Sequence, residues 1–181
     1  LSDLKDTYDG LMITVKSFEK ETKMMGLDVL SRIADDYSNL DEILQEIDTL
    51  QKRSNSEKEY KSLKKQVANL EGDFKKRGVS LLSAITDDLS NLDEIRGQIL
   101  EVVGLYNKDI DNKNKFESLR ELVSTLEGDF KKQSRNVLMG VNDDFSNLEE
   151  IDRQIAEISA KYTERLEEEK REKEAEAKRL A

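Results

Sequence analysis

The sequence predicts an all-α protein. We expect an elongated antiparallel coiled-coil rod of tandem helical-hairpin repeats that form three-stranded, spectrin-like segments. One observation is that the motif Asp-Asp-x-Ser-Asn-Leu-Asp/Glu-Glu-Ile occurs three times, starting at Asp35, Asp87 and Asp143 with spacings of 52 and 56 residues. The other is that apolar residues between these motifs alternate at three and four positions, which is typical of helices packed along their length.

Each repeat is predicted to begin with a long helix of about 30 residues that carries this apolar stripe. The phase of the stripe continues across Gly72 and Gly128, so we expect the helix to run through both, weakened by roughly 1 kcal/mol per glycine. In the second repeat the stripe consists of Tyr60, Leu63, Val67, Leu70, Phe74, Leu81 and Ile85.

A shorter helix is predicted to follow each Asp-Asp pair. Ser38 and Asp41 have the spacing of a capping box, in which the serine hydroxyl accepts a bond from an amide at the start of the helix. Ser90 with Asp93 and Ser146 with Glu149 repeat that spacing. Polar links are expected at 51–56 and 107–114. The longer spacing of 56 residues places four extra residues between Ile95 and Phe116, so we expect this segment to be a connection and not part of the core.

The difference in helix length predicts how the helices pack. A long helix measures roughly 45 Å and a short one roughly 21 Å, so each short helix would pack between the end of one long helix and the beginning of the next. We divide the chain into helical repeats at 1–57, 58–113 and 114–162, with a charged helical extension at 163–181. A start at Leu1 suggests a mature or cut fragment.

Composition excludes several classes of protein. The chain has no cysteine or histidine, so thiolate nucleophiles, disulfides, imidazole bases and Cys/His metal sites are ruled out. We therefore expect no enzyme, and no catalytic, cofactor or metal residues. The net charge of −10 argues against nucleic acid as a partner, because phosphate binding needs a cationic face. No apolar run is long enough for direct membrane insertion.

The acidic turns are the remaining candidates for a site. Asp35, Asp36 and their counterparts could attract calcium, but they lack the glycine and the alternating ligands of an EF-hand loop, and helix capping explains the same residues. Tyr37, Leu89 and Phe145 occupy one equivalent position in the turns. Each either plugs the end of its bundle or forms an exposed apolar knob that binds a partner.

Two repeated features indicate a family resemblance. They are the Asp-Asp-x-Ser-Asn turn and the stretch Leu-Glu-Gly-Asp-Phe-Lys-Lys at 70–76 and 126–132. A hydrophilic rod of such cassettes resembles the variable adherence-associated antigen of mycoplasmas, a family of surface lipoprotein adhesins with interchangeable coiled-coil modules. The resemblance covers residues 8–162 and implies a membrane-anchored protein on the outer cell surface. The lipid-bearing cysteine of that family is missing from this sequence.

Two functions follow as hypotheses. The first is a non-enzymatic cell-surface adhesin or antigen whose modules bind a protein partner or a host-cell receptor. The second is an intracellular, spectrin-like spacer or scaffold in the cytoplasm. The full-length N-terminus would discriminate them, since a signal with a lipobox cysteine favours the first. The sequence leaves the oligomeric state open.

Overall fold

The computed structural model describes residues 2–181, and Leu1 lies outside the described residues. Within this range the chain forms seven α-helices, which confirms the all-α prediction. Helices of 12 residues alternate with helices of 15, 29, 34 and 33 residues. The prediction of a short helix after each Asp-Asp pair is wrong, because a helix of at least 29 residues follows each pair and a 12-residue helix precedes it. The helices are α1 (Ser2–Lys16), α2 (Lys20–Ser31), α3 (Leu40–Ala68), α4 (Gly72–Ser83), α5 (Leu92–Thr125), α6 (Gly128–Met139) and α7 (Leu148–Leu180).

The predicted continuity across the glycines is wrong. Helix α3 ends at Ala68 and α4 begins at Gly72, whose φ of 58° lies in the left-handed region; Gly128 at the start of α6 has a φ of 57°. Glycine adopts this conformation without the steric cost that a Cβ imposes. The spacing of apolar residues stays regular across each break, because each break contains one buried apolar residue. These residues are Phe18, Leu70 and Leu126.

The predicted polar links are also wrong, because residues 51–56 and 107–114 lie inside α3 and α5. Ser54 shows why a polar stretch stays helical: it is fully buried, and its hydroxyl accepts a 3.1 Å hydrogen bond from the backbone N–H of Glu19. The four extra residues between Ile95 and Phe116 amount to little more than one helical turn, so α5 accommodates them without leaving the helix. The repeat boundaries at 57 and 113 therefore fall within helices.

The chain divides into two compact units, Leu1–Tyr106 and Asn107–Ala181. The first unit holds two apolar cores. Core 1 combines α1, α2 and the first half of α3, and its buried residues include Val15, Val29 and Ile47. Core 2 combines the second half of α3, α4 and the first half of α5, with Val67 and Ile99 at its centre. Helix α3 thus belongs to both cores.

The second unit holds core 3, which repeats this arrangement with the second half of α5, α6 and the first half of α7. Leu119, Val123 and Ile155 are among its buried residues. Beyond Tyr162, α7 continues to Leu180 with every residue exposed. This stretch is the predicted charged extension, and it carries ion pairs within the helix such as Arg165–Glu169 at 3.5 Å.

A small residue brings each short helix close to the helix before it. A Cβ added at Gly26 would lie 2.7 Å from Val15 Cγ1, and one at Gly78 would lie 3.0 Å from Val67 Cγ1. The equivalent residue in core 3 is Ser134, which is fully buried and whose hydroxyl has no hydrogen-bond partner among residues 2–181. The close contacts at Gly26 and Gly78 limit how α2 sits on α1 and how α4 sits on α3.

Candidate functional site: the turns between short and long helices

Three turns of the same construction connect each short helix to the next long helix. We call them turn 1 (residues 34–39), turn 2 (86–91) and turn 3 (142–147). Each contains the repeated Asp-Asp-x-Ser-Asn sequence, and each is followed directly by a buried leucine that begins the long helix. The turns therefore have fixed positions relative to their cores.

An asparagine clamps each turn. Asn39 Oδ1 accepts a bond from Ala34 N–H at 2.9 Å, and Asn39 Nδ2 donates to the carbonyl oxygen of Arg32 at 2.8 Å. One side chain thus satisfies a backbone donor and a backbone acceptor where the short helix ends. Asn91 repeats both bonds at 2.9 and 2.8 Å, and Asn147 repeats both at 2.8 Å. The sequence prediction missed this role, although the asparagine occurs in all three copies of the motif.

The predicted capping boxes are wrong. The residue that precedes α3 is Asn39, not Ser38, and it makes no side-chain cap bond; Asn147 precedes α7 in the same way. The serine instead uses its backbone, since Ser38 N–H donates to Asp36 Oδ1 at 3.0 Å. This Asx-type bond draws the serine into the turn, one residue short of the capping position.

The second aspartate of each pair is held ionised by hydrogen bonds. The hydroxyl of Thr86 and the backbone N–H of Ser90 both donate to Asp88 Oδ1, which lowers the pKa of Asp88 from 3.8 to about 2. Bonds from the serine two residues further on, its backbone N–H first, also lower the pKa of Asp36 and Asp144. Because the shift is downward, these three carboxylates stay charged and keep accepting their hydrogen bonds to a lower pH than an ordinary aspartate would.

Tyr37, Leu89 and Phe145 adopt the left-handed conformation, with φ of 58°, 58° and 60°. A non-glycine residue is strained there, and the turn compensates because the N–H of each residue donates to a carbonyl three residues earlier at 2.9 Å. All three side chains are half-buried, and each packs against its own core. The structure thus does not bring the three predicted partner-binding residues together, and each keeps one accessible side.

Turn 3 carries an apolar groove of about 310 Å³. Phe116 and Phe145 lie side by side in it with ring centroids 6.2 Å apart. Met139 lies at its edge with 83 % of its surface exposed. The sequence prediction missed Met139; the signal that could have found it is that the matching positions in the other repeats are Ser31 and Ser83.

We also searched the described residues for metal sites and membrane-spanning helices, and compared the chain with known proteins. Residues 2–181 contain no group of three or more acidic, histidine or cysteine side chains arranged to hold a metal ion. Among the helices that the structure describes, none has the length and apolarity needed to cross a bilayer. Comparisons with protein-family models, with curated protein sequences and with solved structures found no significant match.

Proposed function

We propose that the chain is a non-enzymatic cell-surface adhesin or antigen whose helical modules present binding surfaces to host cells. The observation that carries this proposal is the threefold turn. The same hydrogen bonds form in all three turns, and the equivalent position holds Tyr37 in turn 1, Leu89 in turn 2 and Phe145 in turn 3. A rigid frame with variable displayed residues suits a protein that binds partners at several places along its length, because recognition residues are commonly carried by loops on a rigid scaffold.

The chemistry of the chain supports binding rather than turnover. The sequence has no cysteine or histidine, and each turn presents two adjacent aspartates that are charged at neutral pH. Charged groups at an interface contribute mainly to the rate of encounter and to the choice of partner. We therefore assign the turns a role in recognition.

We also propose that the three cores follow one another in an elongated antiparallel coiled-coil rod of spectrin-like segments. The sharing of α3 between core 1 and core 2 supports this proposal, since neighbouring modules that share a helix are typical of repeat proteins. Small-angle X-ray scattering tests it. A compact domain of this length has a radius of gyration of about 16 Å; a clearly larger value is expected, and a value near 16 Å would contradict the rod.

Surface location is tested by protease treatment of intact cells that express the full-length protein. The expected result is loss of the signal from an antibody against residues 2–181, while a cytoplasmic marker protein stays intact. Lysed cells treated identically are the control that the chain is cleavable. A signal that survives on intact cells but disappears after lysis contradicts the adhesin proposal.

The second candidate function is an intracellular spacer, and the sharing of α3 by two cores favours it as well. A spacer requires continuous helices, and it does not require that any of the protein is exported from the cell. The two functions are separated by the full-length N-terminus and by pulldown from cytoplasm. A lipobox cysteine supports the adhesin, and a plain cytosolic start with a cytoskeletal partner supports the spacer.

A further inference from the structure

The groove at turn 3 differs from its surroundings in being open and apolar. Its floor is made by side chains of core 3, and Met139 stands almost fully exposed at its edge. Exposed apolar side chains next to an open groove are typical of protein interaction sites. Its lining includes Phe116, Leu138, Met139, Val141, Asp143 and Phe145.

The other two repeats show that Met139 is not required by the fold. At the same position Ser31 donates its hydroxyl to the carbonyl of Asp28 at 2.5 Å, and Ser83 donates to the carbonyl of Ser80 at 2.7 Å. Each serine hydroxyl is thus hydrogen-bonded to a carbonyl in the last turn of its own helix, and it adds no apolar surface. The turn therefore folds with serine there, and the methionine of turn 3 adds apolar surface at the edge of the groove.

The charges around the groove select the kind of partner. Asp143 is the charged residue that lines it, and the adjacent Asp144 is kept ionised by its bond from Ser146 N–H. Lys115, which precedes Phe116 in the chain, is already paired with Asp152 at 3.3 Å. An apolar floor with an acidic rim is complementary to an amphipathic segment that carries apolar and basic side chains.

We infer that the groove at turn 3 binds a basic amphipathic helix of a partner protein, with an apolar side chain of that helix against Met139 and Phe145 and its Lys or Arg side chains facing Asp143 and Asp144. This inference rests on the proposed function in that both require a protein-binding surface. It names the chemistry of the partner and singles out one of the three turns.

Methionine methyl NMR of the intact chain provides the test. The probe is a 14-residue amphipathic helical peptide of leucine and lysine, with a leucine–glutamate peptide of the same pattern as its control. The expected result is that the lysine peptide shifts the Met139 methyl resonance and leaves that of Met24, which is 72 % exposed on α2, in place. Equal shifts at both methionines, or equal shifts with both peptides, would overturn the inference.

Met139→Ser is the matched variant, because it places at turn 3 the residue that turns 1 and 2 already have. The lysine peptide should bind it about tenfold more weakly, since the methionine surface is no longer buried. Asp143→Asn should weaken binding and reduce its salt dependence. Unchanged affinity in both variants contradicts the proposed contacts.

Two further outcomes separate this inference from the proposed function. If the Met139 resonance shifts with protein concentration alone, and sedimentation shows that the chain self-associates but that Met139→Ser does not, the occupant is a second copy of the chain and the inference is overturned. If cells bind the purified chain and Met139→Ser equally, the inference fails and the adhesin proposal stands. Protection of the chain from protease on intact cells overturns the adhesin proposal instead.

Discussion

At the scale of single residues, three asparagines determine the shape of the turns. Asn39 connects the carbonyl at the end of α2 to an amide within turn 1, with both bonds shorter than 3 Å. Each such bond contributes about 0.5–1.5 kcal/mol, and a backbone group left without a partner costs more when it is poorly solvated. The asparagine should therefore matter more to stability than the serine beside it.

Asn39→Ala should lower the free energy of unfolding by about 1–2 kcal/mol, because it removes both bonds. Ser38→Ala should change it by less than about 0.5 kcal/mol, as expected of an exposed residue whose hydroxyl makes no cap. Urea unfolding followed by circular dichroism measures both variants. A loss with Ser38→Ala as large as that with Asn39→Ala would restore the capping-box hypothesis.

The aspartates of the turns predict a dependence on acid. The pKa of Asp88 in the folded chain is about 2, below its ordinary value of 3.8, so its bonds stabilise the fold above pH 4 and are lost as the pH falls toward 2. Thr86→Val removes the largest contribution and should raise the pKa of Asp88. Carboxyl carbon NMR measures this shift, with Asp144, whose turn has Asn142 at the threonine position, as internal control. An unchanged Asp88 pKa would contradict the assignment.

At the scale of helices, periodicity predicts cores better than it predicts helix ends. The apolar stripe identified many of the buried apolar positions, but its member Met25 is exposed and it did not include the buried Thr22. The stripe also continued through the breaks, because Leu70 and Leu126 are buried there. A spacing of three and four is retained when a break contributes its own core residue. The position of a helix end depends on local dihedral angles, such as the positive φ of Gly72, which the apolar pattern does not report.

The polar links were predicted where the helix in fact continues, because a stretch with few apolar residues was interpreted as a break. Residues 51–56 contain little apolar surface, yet Ser54 is fully buried and bonded to Glu19 N–H. In core 2 the equivalent of Ser54 is Tyr106, which packs on Phe74 with centroids 5.5 Å apart. A tertiary contact therefore holds this part of the long helix in place with either a small polar residue or an aromatic one. The repeated motif was enough to predict the positions of the three turns. The hydrogen bonds of the asparagine could be identified only from the structure, because the sequence does not show which backbone groups its side chain reaches.

Two glycines test the close packing of the short helices. Gly26→Ala should destabilise the chain, because the added Cβ would lie 2.7 Å from Val15 Cγ1 and overpacking costs about 1–3 kcal/mol. Gly97→Ala, where a Cβ meets nothing within 4 Å, should stabilise α5 by about 1 kcal/mol through helix propensity. Thermal unfolding of the two variants should give shifts of opposite sign; stabilisation by both would contradict the close approach of α2 to α1.

At the scale of the whole molecule, one plan of three helices and a turn is built three times with local substitutions. Cores 2 and 3 place an aromatic pair, Phe74–Tyr106 and Phe130–Tyr162, where core 1 has buried Thr22 and Ser54. The cores thus tolerate different chemistry while the turn frame stays the same. This combination is what the proposed display of different side chains at each turn requires.

A single long helix, α3, serves two cores, and amide hydrogen exchange along α3 provides the test. Residues 51–57 should exchange as slowly as the rest of α3, because their amides are bonded within the helix and Ser54 is buried. The residues of turns 1 and 2 serve as the fast-exchanging reference. Exchange at 51–57 as fast as in these turns would mean that α3 is two helices joined by a link, and would contradict a continuous helix shared by two cores.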